Sequence, residues 1–222
     1  MENTRRSFIK QFTAAGLGVA GLTAANKVEA AINTLPEQSQ QKKKQVGKDD
    51  GKLRFGFIGT GSRCQEHINN VLAIGETKIV AICDTQQGPL DRTLKHIAKF
   101  NVPEPKIYTG SERSFEQMLN NEEFDCIIIA SPWEWHAPMS VAAMKAGVPY
   151  VGVEVSAANT VEECWDLVNT SEATGSQLNI MENVCYRRDC MATLSMVREG
   201  LFGELLHGSC GYEHDLRDIK FN

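Results

Sequence analysis

The chain has 222 residues, of which 42% are hydrophobic, and a formal net charge of −5. This is the composition of a globular protein with one full hydrophobic core and part of another. The mild acidity gives no electrostatic case for binding nucleic acid or an anionic membrane, and no apolar run reaches the ~20 residues that span a bilayer.

Residues 1–30 are predicted to be a signal peptide rather than part of the fold. Arg5 and Arg6 precede a small apolar run, which is the twin-arginine pattern, and Ala30 lies at a small-residue cleavage position. The alternative is a mobile N-terminal amphipathic helix. The signal predicts Tat export, to the periplasm or the extracellular space. Residues 31–51 are polar, contain a lysine run and are predicted to be a flexible linker.

From Lys52 onward, short apolar runs alternate with helical patterns. In chain order the predicted elements are the strand LRFGFIG, the helix RCQEHINNVLAIG, the strand KIVAICD, the helix PLDRTLKHIAKFN, the strand KIYTG, the helix SFEQMLNNE, the strand FDCIIIAS, the helix MSVAAMKAG, the strand PYVGVEV, the helix TVEECWDLVNTSEATG and the strand QLNIMEN. Ser114 is expected to cap the third helix, and Thr160 with Glu163 to form a capping box on the fifth. This alternation predicts an α/β fold of the Rossmann type, a doubly wound parallel sheet over residues 52–186.

The pattern changes after Tyr186. Residues 187–222 contain a helical stretch, RRDCMATLSMVREGLFG, followed by ELLHGSCGYEHDL, which alternates like a strand. These ~35 residues are too few to close a second core. We expect them to be a linking helix and the first strand of an incomplete α+β substrate domain, in a chain that is a fragment of a longer protein.

The seven cysteines show no paired spacing of the kind that metal ligands have. Their odd number and the lack of a C-x-x-C motif predict neither a disulfide framework nor a zinc site. No metal is expected.

The stretch GFIGTGSRC follows the first strand and opens the first helix, which is the place of a dinucleotide fingerprint. Gly59 permits the tight turn, and Gly61 lets the backbone approach a pyrophosphate at the helix N-terminus. Ser62 and Arg63 add a hydroxyl and a guanidinium for a phosphate. The alternative is a purely structural glycine turn.

Asp84 ends the second strand, ~20 residues beyond the glycines, where an acid accepts hydrogen bonds from ribose hydroxyls. A carboxylate there would repel a ribose phosphate, so NAD is predicted rather than NADP. The alternative role is that of a helix or turn cap.

The fourth strand ends at SPWEWHAP. Ligands of doubly wound sheets bind beyond the carboxyl ends of the strands, where Trp133 and Trp135 would offer flat surfaces and His136 a hydrogen bond. The alternative is packing of these side chains into the core.

These features together resemble the Gfo/Idh/MocA oxidoreductase family. Its usual members carry a Glu-Lys-Pro motif after strand five, whose lysine helps proton transfer at a sugar hydroxyl. Here the same place reads VGVEVSAANT, with Glu154 followed by Val155 and Ser156. The acid is present and the lysine is absent, and a valine side chain cannot move a proton.

That departure, together with EECWDLVNTSEATG, MENVCYRRD and GYEHDLRDIKFN, resembles one offshoot of the family from about Arg54 to Asn222. The offshoot is the NAD-dependent glycoside hydrolases typified by α-N-acetylgalactosaminidase. The resemblance implies that Tyr212 contacts the sugar. It also implies that the cofactor contacts include Ser62, Arg63, Asp84, Trp133, Glu134, Trp135, His136, Glu154, Val155 and Asn183.

The resemblance implies a glycosidase that recycles its NAD. Linkages of terminal α-N-acetylgalactosamine would be cleaved by transient oxidation at sugar carbon 3, elimination, hydration and re-reduction. Tyr186 is the candidate base and Glu154 an orienting or proton-relaying acid. The alternatives are a buried structural tyrosine for Tyr186 and, for Glu154, an acid that interacts with a helix dipole or caps a helix. The family's Tyr-Pro-Thr-His motif, which binds the sugar, has no counterpart in this chain.

Two other functions stay open at this point. One is an NAD-dependent sugar dehydrogenase of the parent family, against which the missing lysine argues. The other is an inactive NAD-binding fragment whose exposed sheet edge needs a partner. The sequence also leaves open whether the protein is a homo-oligomer.

Overall fold

A computed structural model describes residues 51–211 together with 213, 215 and 217. The predicted signal peptide, nearly all of the predicted linker and Tyr212 lie outside these residues. The chain divides between Met181 and Glu182 into two compact units, and each is described by itself.

The first unit is an α/β structure in which every strand but the last is followed by a helix, as the alternating apolar pattern predicts. The elements in chain order are β1 (Leu53–Ile58), α1 (Ser62–Ile74), β2 (Thr77–Cys83), α2 (Gln87–Ile97), β3 (Lys106–Tyr108), α3 (Ser114–Asn121), β4 (Cys126–Ile129), α4 (His136–Lys145), β5 (Tyr150–Val153), α5 (Val161–Thr174) and β6 (Gln177–Ile180). The predicted doubly wound parallel sheet is confirmed, since all neighbouring strands pair in parallel.

The strand order is β3-β2-β1-β4-β5-β6. The chain winds outward from β1 in one direction, then returns and winds outward from β4 in the other. Adjacent connections therefore leave the sheet in opposite directions where β1 meets β4, and a crevice opens beyond the carboxyl ends of these two strands. The first glycine turn follows β1, and the tryptophan-rich segment follows β4.

The core has two layers, one on each face of the sheet. One layer joins the sheet to α1 and α2 through residues such as Ile68 and Leu90. The other joins it to α3, α4 and α5. Strand β4 serves both layers, because Ile127 and Ile129 belong to one and Ile128 to the other. A strand buried on both faces must be a continuous apolar run, which is why FDCIIIAS has no polar alternation.

The helix ends follow local rules, with one exception. Helix α1 ends at Gly75 in the left-handed conformation, and Thr160 and Glu163 form the predicted capping box on α5. The prediction that Ser114 caps α3 is wrong, since Ser114 is the first residue of that helix and makes no capping bond. Its hydroxyl instead accepts from the N–H of Ser111 and donates to the carbonyl of Thr109. The side chain thus satisfies the preceding loop rather than the helix.

The second unit contains a short 3₁₀ turn, Val184–Tyr186, and one helix, α6 (Arg188–Arg198). A helix is therefore present where the sequence pattern predicts one. Residues 204–211, for which alternation predicts a strand, have no regular secondary structure. A strand persists only when another backbone pairs with it, and the described residues of this unit provide no such partner.

Among the residues that the structure describes, no helix has both the length and the apolarity required to cross a membrane. All seven cysteines are free thiols. Three of them, Cys164, Cys185 and Cys210, are exposed, whereas Cys64 and Cys83 are buried.

Candidate cofactor site

The two fingerprint glycines differ in what surrounds them. Gly59 has φ +83°, and a Cβ placed on it would lie 2.6 Å from the carbonyl oxygen of Ala130. Its N–H donates to the carbonyl of Cys83 at 2.8 Å, so the turn is packed between neighbouring strands. Gly61 lies at an ordinary φ of −64°, and a Cβ there would meet nothing within 4 Å. Gly59 is thus needed by the fold, whereas Gly61 borders open space at the crevice.

Helix α1 begins directly at this open space. It has no side-chain cap and no acidic residue in its first turn. Its first N–H groups and the positive end of its dipole are therefore unneutralised by the helix itself, which is the arrangement that binds phosphate. Ser62 and Arg63 are its first two residues, as the fingerprint requires.

Asp84 follows β2 and reaches across to the glycine turn. Its Oδ2 accepts from the backbone N–H and the hydroxyl of Thr60, at 2.7 and 2.8 Å. Its Oδ1 accepts from the N–H of Gln86 at 2.9 Å. The alternative role of Asp84 as a turn cap is therefore correct in part, because its bond to the N–H of Gln86 closes the turn before α2. A carboxylate has about four lone-pair sites, and three are used here, so one on Oδ1 is left for a ribose hydroxyl.

The tryptophan-rich segment is a 3₁₀ turn, Trp133–Trp135, that runs directly into α4. The helix starts three residues earlier than the sequence pattern indicates, with Pro138 in its first turn, where proline is tolerated. Trp135 packs edge-on against Phe115 with ring centroids 6.1 Å apart. Trp133 is 65% exposed, and Glu134 is exposed beside it. One tryptophan therefore anchors the turn to the core, and the other presents its ring to solvent.

His136 is buried, and both of its ring nitrogens are engaged. Nδ1 lies 2.7 Å from the carbonyl oxygen of Ser156, and Nε2 lies 2.8 Å from that of Ser131. The ring joins the loop after β4 to the loop after β5. The predicted hydrogen bond from this ring to a ligand is not available in this arrangement, and His136 instead positions the two loops.

Glu154 follows β5 and accepts two side-chain hydrogen bonds on one oxygen. Nε of Arg63 donates to its Oε1 at 2.7 Å, and Nε2 of His67 lies 2.6 Å from the same atom. Burial raises the pKa of the Glu154 carboxyl, but the bonds from Arg63 and His67 outweigh it and hold the pKa below its ordinary value. Glu154 caps no helix, so the capping alternative does not apply. Val155, next to it, is 42% exposed.

The remaining predicted residues lie in the second unit or outside the described residues. Asn183 precedes the 3₁₀ turn of the second unit and Tyr186 is its last residue, and the N–H of Tyr186 donates to the carbonyl of Asn183 at 3.1 Å. Tyr186 is 75% exposed, so the described residues do not bury it. The sugar contact predicted for Tyr212 lies outside the described residues.

Two residues of the site are absent from the sequence-based prediction. Thr60 holds Asp84, and His67 holds Glu154. His67 carries a weak sequence signal, since it lies four residues after Arg63 and therefore on the same face of α1. Its partner, Glu154 directly after β5, is 87 residues away in the chain, and only the fold brings the two together.

The geometry of the first unit fits a dinucleotide. A pyrophosphate would be held by the uncapped N-terminus of α1 over Gly61, and a ribose by the remaining lone pair of Asp84. The exposed ring of Trp133 offers a stacking surface. Within the described residues, no group of three or more His, Cys, Asp or Glu side chains is arranged to hold a metal ion.

Residues 53–181 match the profile described as the oxidoreductase family with an NAD-binding Rossmann fold, Gfo/Idh/MocA. The chain belongs to the Gfo/Idh/MocA oxidoreductase family. The predicted fold, the NAD cofactor and the parent family are thereby confirmed. Residues 186–222 match the C-terminal domain of glycosyl hydrolase family 109, which confirms the resemblance to the glycoside hydrolase offshoot.

Two similar proteins cover the whole chain. An α-N-acetylgalactosaminidase of Tannerella forsythia is 78% identical over 222 residues. A glycosyl hydrolase family 109 protein of Parabacteroides distasonis is likewise 78% identical over 222 residues. The chain spans only 47% of the length of each of these relatives.

Solved Gfo/Idh/MocA-type structures show the same fold at low identity. The WlbA dehydrogenase of Bordetella pertussis, in complex with NADH and UDP-GlcNAcA, superposes with a TM-score of 0.60 at 22% identity. The match covers 68% of this chain and 43% of that one. A myo-inositol 2-dehydrogenase of Lactobacillus plantarum gives a TM-score of 0.58 at 20% identity, over 69% of this chain and 43% of that one.

Proposed function

We propose that the complete protein is a glycosidase that uses recycled NAD to cleave linkages of terminal α-N-acetylgalactosamine in glycosides or glycans. The observation that carries this proposal is the 78% identity, over the whole chain, to a relative named α-N-acetylgalactosaminidase. The proposed course is transient oxidation at sugar carbon 3, elimination of the aglycone, hydration and re-reduction.

The residue after Glu154 distinguishes this chain from the usual dehydrogenases of the parent family. Val155 is exposed at the carboxyl end of β5, in the place where the parent family carries its proton-transferring lysine. An isopropyl side chain neither donates nor accepts a proton. Oxidation of carbon 3 in the proposed glycosidase also releases a hydroxyl proton, and the carboxylate of Glu154, the proposed proton relay, would accept it in place of the missing lysine.

The residues of the first unit would hold and orient the cofactor. The N-terminus of α1 and Arg63 would hold the phosphates, and Asp84 would select an unphosphorylated ribose. When bound, NAD supplies reversible hydride transfer to and from the sugar ring. Tyr186, the first residue of the segment that matches the glycosyl hydrolase family 109 C-terminal domain, is proposed as the base for the carbon-2 proton. A mechanism of this kind does not need the two carboxylates that flank the scissile bond in an ordinary glycosidase.

The test uses the protein expressed from its complete gene and a chromogenic α-N-acetylgalactosaminide. We expect aglycone release without added NAD and without accumulation of NADH at 340 nm. Matched controls are the β-anomer and the corresponding glucosaminide. Stoichiometric NADH formation without aglycone release would assign the protein to the sugar dehydrogenases instead. NAD binding with neither reaction would leave only a nucleotide-binding protein.

We also propose export by the twin-arginine route, on the strength of Arg5 and Arg6 and the apolar run that follows them. The experiment replaces both arginines with lysine, which keeps the charge of the region. We expect the wild type in the periplasmic or extracellular fraction and the double variant retained in the cytoplasm. Equal distribution of the two proteins would contradict the proposal.

A further inference from the structure

Arg63 and His67 lie one turn apart on the same face of α1, and both point at one atom, Oε1 of Glu154. Among the described residues, the other oxygen, Oε2, accepts only from the N–H of Val155, at 3.3 Å. A carboxylate with little exposure is thus held by two strong donors and one weak one. Loss of both strong donors would leave a largely buried charge almost unpaired, which is costly.

The two donors differ in what else they can reach. The side chain of Arg63 is 39% exposed, and its Nη1 also contacts Glu66. Arg63 is the second residue of α1, beside the open space over Gly61. The side chain of His67 is 8% exposed and lies one turn further along the helix. Arg63 therefore has access to a phosphate at the helix N-terminus, whereas His67 is buried and has Glu154 as its hydrogen-bond partner within the described part of the chain.

We propose that His67 is a positioning residue of the NAD site, which holds the carboxylate of Glu154 in place and so allows Arg63 to leave it for a cofactor phosphate. The proposal rests on NAD binding at the site described above. It is independent of whether the protein cleaves glycosides. With His67 present, the exchange of Arg63 from carboxylate to phosphate leaves Glu154 one strong partner. Without His67, the same exchange leaves it only the weak bond from Val155.

The test measures the dissociation constant of NAD by calorimetry for the complete protein and its variants. We expect His67→Ala to raise this constant about 10-fold or more, the effect of losing one charge-assisted hydrogen bond. His67→Gln places an amide N–H where Nε2 stands, and it should remain within about 3-fold of wild type. His96→Ala, which removes another histidine from the same layer of helices, is the control and should leave NAD affinity unchanged.

A double-mutant cycle asks whether His67 acts through Glu154. In the Glu154→Gln background the carboxylate charge is gone, so His67→Ala should change the dissociation constant by less than about 2-fold. If His67→Ala does not fold, His67→Asn takes its place in the experiment. The amide of asparagine is too short to reach Oε1 of Glu154, so this variant should bind NAD as weakly as expected for His67→Ala. The proposal is overturned if the His67→Ala protein, or its asparagine substitute, binds NAD like the wild type. It is also overturned if the free-energy effects of His67→Ala and Glu154→Gln on NAD binding are fully additive. The same holds if His67→Gln binds NAD as weakly as His67→Ala.

The outcome is separable from that of the proposed function. Intact aglycone release with an unaffected NAD constant in His67→Ala would refute only the positioning role. The expected cycle in a protein that cleaves no glycoside would refute only the hydrolase proposal.

Discussion

The two fingerprint glycines should respond in opposite ways to the same added methyl group. In Gly59→Ala the new Cβ would be forced to 2.6 Å from the carbonyl oxygen and 2.7 Å from the carbonyl carbon of Ala130. The backbone at this position is also in the left-handed region, with φ +83°. In Gly61→Ala the methyl group would enter open space from a φ that any residue adopts.

The magnitude for Gly59→Ala combines two terms. A left-handed conformation costs a residue with a Cβ about 1–2 kcal/mol. Overpacking against a rigid backbone adds about 1–3 kcal/mol, because the atoms in the way belong to the end of β4 and not to a flexible side chain. We therefore expect a loss of ~2–5 kcal/mol in the free energy of unfolding, which lowers the melting temperature by roughly 4–20 °C at ~2–4 °C per kcal/mol.

Gly61→Ala should keep or slightly raise the melting temperature, since alanine restricts the unfolded chain. Its methyl group would stand where the pyrophosphate approaches, so NAD affinity should fall at least about 10-fold. Thermal unfolding by circular dichroism and an NAD titration on both variants measure the two effects. A Gly59→Ala protein that melts within about 2 °C of wild type would refute the steric argument. Undiminished NAD affinity in Gly61→Ala would remove the pyrophosphate from this turn.

Three further predictions concern the residues around this turn. Asp84→Ala should weaken NAD binding by ~1.5–3 kcal/mol. It should also lower the melting temperature, because it leaves both donors of Thr60 without an acceptor. Calorimetry and thermal unfolding measure the two effects, and an unchanged dissociation constant for NAD would exclude Asp84 from the site. Trp133→Ala should reduce NAD affinity with little change in stability, whereas Trp135→Ala should destabilise the protein through lost contact with Phe115, and the reverse pattern would exchange their roles. The lowered pKa of Glu154 means that its ionised form stabilises the fold above the ordinary value of 4.5, and that this contribution disappears as the pH falls through the lower folded value. Wild type and Glu154→Gln should therefore differ in unfolding free energy at pH 7 and converge below pH 4.5, and a difference independent of pH would contradict the assignment.

The sequence was sufficient for features that depend on residues close together in the chain. Alternating apolar runs and helical periods gave the order of strands and helices, because each element must match its own period of burial. The glycine turn before α1 and the capping box at Thr160 and Glu163 were readable for the same reason. Asp84 was predictable because its distance along the chain from the glycines is fixed by one strand-helix-strand unit.

Only the tertiary structure determined which side chains from distant parts of the chain contact one another. Arg54 is an ordinary charged residue in a strand sequence, yet it is buried against Asp125, 71 residues away, with Nη2 2.9 Å from Oδ1. The loops that meet at the sheet edge likewise determine that both ring nitrogens of His136 contact backbone carbonyls. They also determine that Trp135 packs against Phe115 while Trp133 stays exposed.

The contact between His67 and Glu154 shows most directly why such long-range contacts cannot be predicted from local sequence patterns. The helical period places His67 on the same face as Arg63, but it says nothing about what lies opposite that face. Parallel strand pairing puts the end of β5 beside the start of α1 only after β4 has crossed back to pair with β1. The local interactions of the sequence fix each element, and the order in which the strands pair determines which side chains reach one another.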